Sequence, residues 1–123
     1  MFKVGSEYTR DEIHAACGGS KQSYLPTKGG SVVAACLTRA LNPLAPSVVL
    51  CGRGPIIASA GATLAKQKHQ IPVFLKLATN RWVYHGLFRP TEAYSSGQEF
   101  QQYVAGSGRS PSEVSLVVVL QAA

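Results

Sequence analysis

The chain has 123 residues, 46% of them apolar and 15% charged, and carries a net charge of +6. That composition excludes a disordered chain and suffices for a single domain, residues 1–123, with its own core. No run approaches the ~20 apolar residues of a membrane-spanning helix, and Met1-Phe2-Lys3-Val4-Gly5 lacks the apolar segment and cleavage site of a secretory signal.

Cys17, Cys36 and Cys51 are odd in number and far apart, which suits neither a disulfide framework nor a zinc site. They read as buried thiols in a reducing, cytoplasmic setting. No metal, no cofactor and no membrane partner is expected. Charge is unevenly placed: from Ile13 to Thr91 there is no acidic residue, while Lys21, Lys28, Arg39, Arg53, Lys66, Lys68, Lys76, Arg81 and Arg89 all lie within that span. A basic body without internal counter-charge attracts polyanions, nucleic acid first among them.

In chain order, Thr9-Arg10-Asp11-Glu12 is a capping-box pattern that predicts a helix from Arg10 to Cys17, with Ile13, Ala16 and Cys17 inward and Gly18-Gly19 ending it. Gly18 to Gly30 reads as a long polar surface loop without Walker A or dinucleotide-binding spacing. Ser31–Thr38 and Ser47–Cys51 read as buried strands, joined by the proline-punctuated Arg39–Pro46. Gly52-Arg53-Gly54-Pro55 turns into an amphipathic helix ending near His69, with Ile56, Ile57, Ala60, Leu64 and Ala65 on its inner face. Ile71–Lys76 and Asn80–Arg89 form a strand pair around a short turn. Ser96-Gly97-Gln98-Glu99 repeats the capping-box pattern and opens a helix through Val104, with Phe100, Tyr103 and Val104 inward. After a Gly/Ser-rich loop, Val114–Leu120 is a closing strand apolar enough to be central in a sheet.

The second strand of the pair sets the functional question. Alternation puts Trp82, Tyr84 and Phe88 on one face, and Arg81, His85 and Arg89 on the other. Two readings are open: a core face beside a solvent face, or an aromatic platform with a basic rim, which suits an unstacked base. The elements together predict an α+β fold: a small curved or partly closed β-barrel with two or three short helices packed outside.

Tyr8-Thr9-Arg10-Asp11-Glu12-Ile13, Gly18-Gly19, Ser23-Tyr24-Leu25-Pro26, Asn42-Pro43-Leu44-Ala45-Pro46, Gly52-Arg53-Gly54-Pro55, Ile71–Lys76 and Asn80–Gly86 occur in that order. Over residues 2 to 90 this order resembles the SRA-like, modified-DNA-reading modules of the PUA-like superfamily, of the kind associated with HNH modification-dependent restriction endonucleases. The resemblance implies a barrel that flips a modified nucleotide out of double-stranded DNA into a pocket, with nuclease activity supplied by a separate HNH-type domain. His14, His69 and His85 are not clustered as an HNH metal site requires, so no catalytic residue is assigned.

Trp82 and Tyr84 are then the pocket walls, with Tyr24 as a loop-borne third wall. Asn80 can read a base edge, since an amide both donates and accepts, or serve simply as a turn residue. Arg10, Lys21, Lys28, Arg53 and Lys76 are the candidate phosphate contacts. Two other functions fit the same charge: an RNA-binding module of the PUA-like superfamily, or a small enzyme for a polyanionic substrate that would bring Arg53, His85 and Asn80 into one pocket.

Overall fold

A computed structural model of the chain describes residues 1–123. The first elements are β1 (Glu7–Tyr8) and α1 (Arg10–Cys17). Thr9 caps α1 as the sequence predicts. Its hydroxyl accepts the Glu12 N–H at 3.2 Å, and the Glu12 carboxylate accepts the Thr9 N–H at 2.9 Å. Gly18, at φ 84°, ends the helix. Of the three residues expected inward, Ile13 is buried, Cys17 is half-buried and Ala16 is exposed. A helix of barely two turns buries one narrow stripe.

The expected Gly18–Gly30 loop ends earlier, at Pro26. A small hairpin follows, β2 (Thr27–Lys28) and β3 (Ser31–Val32), turned through Gly29 and Gly30, both at positive φ. The single strand expected over Ser31–Thr38 is therefore two: β3 in the hairpin and β4 (Ala35–Leu37) in the main sheet. The Gln67 side chain explains the break. It accepts the Val32 N–H at 2.9 Å and donates to the Val32 carbonyl at 3.0 Å, so a side chain takes the place of a neighbouring strand.

The main sheet has the strand order β4-β6-β7-β8-β5, where β5 is Val48–Cys51, β6 is Ile71–Ala78, β7 is Arg81–Tyr94 and β8 is Leu116–Ala122. β4 and β6 are parallel, the other pairs are antiparallel, and β1 adds to the free edge of β7. Three helices pack against the sheet: α1, α2 (Pro55–Lys66) and α3 (Gly97–Ser107). The result is the α+β, curled, partly closed barrel that the sequence predicts. None of its helices is long and apolar enough to cross a membrane.

Both faces of the sheet are covered. One carries Val49, Cys51, Ile71, Val73, Leu75, Phe88, Val118 and Leu120 against Ala60 and Leu64 of α2. The other is split: Cys36, Phe74, Trp82 and Tyr84 meet Ile13 of α1 at one end, and Val48, Leu50 and Val117 meet Phe100 and Val104 of α3 at the other. Burial on two sides is why Val48–Cys51 and Val117–Leu120 are nearly continuous apolar runs. α3 runs to Ser107, beyond the expected Val104. Its capping box does not form: Ser96 makes no side-chain cap bond, and Gly97 follows it at φ 92°. The pattern closes instead at Ser110 and Glu113, on a single 3-10 turn.

α2 and β5 meet without a spare atom. A Cβ on Gly61 would lie 2.5 Å from the Cys51 sulfur and 2.8 Å from its Cβ. Gly61→Ala is expected to destabilise by about 1–2 kcal/mol. The overpacking penalty of ~1–3 kcal/mol exceeds the helix-propensity gain of at most ~1 kcal/mol. A denaturant midpoint at or above that of the unsubstituted chain would show that β5 yields at this point.

The long strand β7 corrects one expectation. Val73 pairs with Gly86, but Phe74 pairs with Tyr84, so His85 is an extra residue in β7. Gly86 adopts φ 115° at this bulge. The alternation resets there. Trp82 and Tyr84 face α1, while Phe88 faces α2 on the other side of the sheet. The three aromatics do not share one face.

Candidate functional site

A cleft of about 1270 Å³ opens beside the Thr79-Asn80 turn of the β6–β7 hairpin. It is bounded by the start of α1, the Ser20–Tyr24 loop, Thr38–Asn42, the start of α2, and Arg109 with Glu113. Seven of the nine residues singled out by sequence line it: Arg10, Lys21, Tyr24, Arg53, Lys76, Asn80 and Trp82.

Trp82 is buried at the cleft floor, 7% exposed, and two cations lie over its ring. The Arg10 guanidinium is 5.3 Å and the Lys76 ammonium 5.9 Å from the ring centroid. Arg10 also donates through Nη2 to the carbonyls of Ser20 at 2.8 Å and Ser23 at 3.0 Å. It thereby ties the glycine-rich loop to the tryptophan. The indole Nε1 and the Arg10 Nε are both buried and have no hydrogen-bond partner.

Asn80 does the work of a turn residue. It sits in the left-handed region at φ 53°, which a β-hairpin turn requires and asparagine tolerates. Its Oδ1 accepts the Arg10 N–H at 2.9 Å, satisfying a free donor at the N-terminus of α1. Tyr24 is tethered: its hydroxyl donates to the Ile57 carbonyl at 2.6 Å. Burial pushes the phenol far above its usual range, so it remains a neutral donor.

The remaining cations are held more loosely. Lys21 pairs with Asp11 at 3.0 Å, both side chains well exposed, so the pair adds little stability. Arg53 donates to the Pro111 carbonyl at 3.1 Å, and Arg109 to the Leu41 carbonyl at 3.0 Å. Glu113 is the only acid among the lining residues, and its carboxylate already accepts the Ser110 N–H. Cys36 lines the cleft as a thiol pushed up to about 12 by burial, which leaves no thiolate nucleophile.

Two sequence candidates lie elsewhere. Tyr84 is buried in an aromatic cluster, with ring centroids 5.2 Å from Phe74 and 5.4 Å from Phe2. Lys28 lies on the small hairpin, its side chain running along Gly18. His85 borders a separate hollow with Phe2, Val4 and the last residues of the chain, so Arg53, His85 and Asn80 do not converge. No group of three or more His, Cys, Asp or Glu side chains comes together as a metal site would need.

The cleft also contains residues that sequence reasoning missed. Arg109 sits in the Gly/Ser-rich stretch Ala105–Pro111, where nothing local marks it. Leu41, Ile56 and Ile57 line the opening as exposed aliphatic side chains, although both isoleucines read as core from their helical spacing.

A curled sheet with helices on both faces and a basic cleft at one end make up an α+β domain whose fold is similar to that of an SRA domain. The chain belongs to the family described as Domain of unknown function (DUF6697), which matches residues 7–106. Among solved structures it is similar to the SRA domain of SUVH5, crystallised in complex with hemi-methylated CG DNA. The TM-score is 0.64 at 18% identity, covering 99% of this chain and 89% of that one. At that identity the likeness is one of fold. No curated protein sequence matches the chain.

Proposed function

We propose that the chain reads modified DNA, receiving a nucleotide flipped from the duplex into the cleft, as the recognition module of a modification-dependent restriction system. A nuclease would then come from a separate HNH-type domain. One observation carries the reading: Arg10, Lys21, Arg53, Lys76 and Arg109 surround a single partly apolar cleft whose one carboxylate is already engaged. The similarity in fold to an SRA domain solved with hemi-methylated DNA supports it.

Extracting a base costs a few kcal/mol. The cations supply phosphate contacts, with Arg53 and Lys76 the most available. Tyr24, Asn80 and Trp82 border the space that the base would enter. Tyr84 and Lys28 lie outside that cleft and have no part in the proposal.

Fluorescence anisotropy with labelled duplexes tests the reading. The duplexes would carry 5-methylcytosine, N4-methylcytosine, N6-methyladenine or no modification, at about 50 mM and about 200 mM salt. One modified duplex should bind more tightly than the unmodified one at both salt concentrations. Equal affinity for all four sinks the modification claim. A preference for structured RNA in direct competition would move the chain to RNA binding instead.

A further inference from the structure

The apolar stripe of α2 is longer than the surface it covers. Ile56, Ala60 and Leu64 follow one another at four-residue spacing, so they share a helix face. Ala60 is 9% and Leu64 0% exposed, against the sheet, but Ile56 is 83% exposed. The helix starts at Pro55, one turn before its supporting sheet begins, and that turn overhangs the cleft. Ile57, 45% exposed, lies across Gly52 and Gly54, whose added Cβ atoms would meet it at 3.3 and 3.5 Å. Leu41, 56% exposed, lines the same opening.

Trp82 is poorly placed to be the stacking wall. It is 93% buried, and Arg10 and Lys76 already lie over its ring. The exposed apolar side chains of the cleft are aliphatic, while Tyr24 is half-buried with its hydroxyl held by the Ile57 carbonyl. Its neighbours are cationic: Arg53 precedes the start of α2, and Arg109 donates to the backbone of Leu41 itself. An apolar patch flanked by two guanidinium groups suits a ligand with an apolar face between two negative charges. A nucleobase between its flanking phosphates has that form.

We infer that the wall of the cleft that meets the base is aliphatic, built by Ile56, Ile57 and Leu41, with Arg53 and Arg109 taking the adjoining phosphates. This rests on the DNA-reading function proposed above. The apolar wall contributes affinity for the base, and the arginines contribute the salt dependence.

Ile56→Asn and Leu41→Asn in the full chain test the inference on a duplex with a hemi-methylated CG step. Both side chains are exposed, so denaturation midpoints should match the unsubstituted chain and exclude misfolding. Each variant should bind about tenfold or more weakly, because a buried aliphatic contact is lost. The slope of log affinity against log salt should stay the same, because no phosphate contact is lost. Unchanged affinity in both variants overturns the inference. A reduced salt slope overturns it too, since the residues would then act through phosphate contacts. If the unsubstituted chain binds no duplex at all, the DNA-reading proposal fails, and this inference with it.

Discussion

Trp82→Ala is expected to remove about 3–5 kcal/mol of stability, a large share of what a domain of this size holds. The indole fills the end of the sheet where Cys36, Phe74 and Ile13 meet, so its loss leaves a cavity that neighbouring backbone cannot close. It also supports the Arg10 guanidinium, which holds the carbonyls of Ser20 and Ser23. The loop from Gly18 to Pro26 should therefore loosen along with the core. Urea denaturation measures the first effect, and amide exchange at Gln22 and Ser23 the second. Trp82→Phe keeps a ring beneath both cations and should cost well under half as much. A loss below ~1 kcal/mol for the alanine variant would show that the core closes over the cavity, and unchanged exchange at Gln22 and Ser23 that the loop is held without the ring.

Neutralising Arg53 and Lys76 together should act on binding and spare the fold. Both are exposed, Arg53 with one backbone acceptor and Lys76 with one aromatic neighbour. In Arg53→Gln with Lys76→Gln, affinity should fall about equally for modified and unmodified duplexes. The slope of log affinity against log salt should shrink by roughly one per residue. An unchanged slope would place the phosphates on other cations. A loss confined to the modified duplex would make one of the two a base-reading residue.

How much of this was legible depended on how local the signal was. The cap of α1 is written in Thr9 and Glu12, and the β6–β7 hairpin in a run of β-branched and aromatic residues around Thr79-Asn80. The central position of β8 follows from Val117-Val118-Val119-Leu120, since only a strand covered on both faces can be so apolar. The cations of the cleft were legible as a class, because an acid-free span from Ile13 to Thr91 leaves them without internal partners.

The rest depends on geometry that residue spacing does not encode. Periodicity gave the inner stripe of α2 but not where the sheet beneath it ends, so Ile56 read as core and is exposed. The break between β3 and β4 depends on Gln67, 35 residues away, bonding to Val32. Asn80 read both as turn and as base reader. Its backbone and its bond to Arg10 account for the first role. Arg109 reaches the cleft because the segment leading into β8 enters beside the end of β5.

The bulge at His85 makes β7 sensitive to length. β8 aligns its last part, past a further extra residue at Thr91, and β6 pairs with it on both sides of His85, alignments that agree only with His85 in excess. Removing that residue would force either the Trp82 half or the Phe88 half to present the wrong side, exchanging buried rings for solvent-facing groups. Substitutions at 85 therefore leave the strand readable, while a single-codon deletion scrambles it. The same strand thus faces two cores, one beneath α1 and one beneath α2.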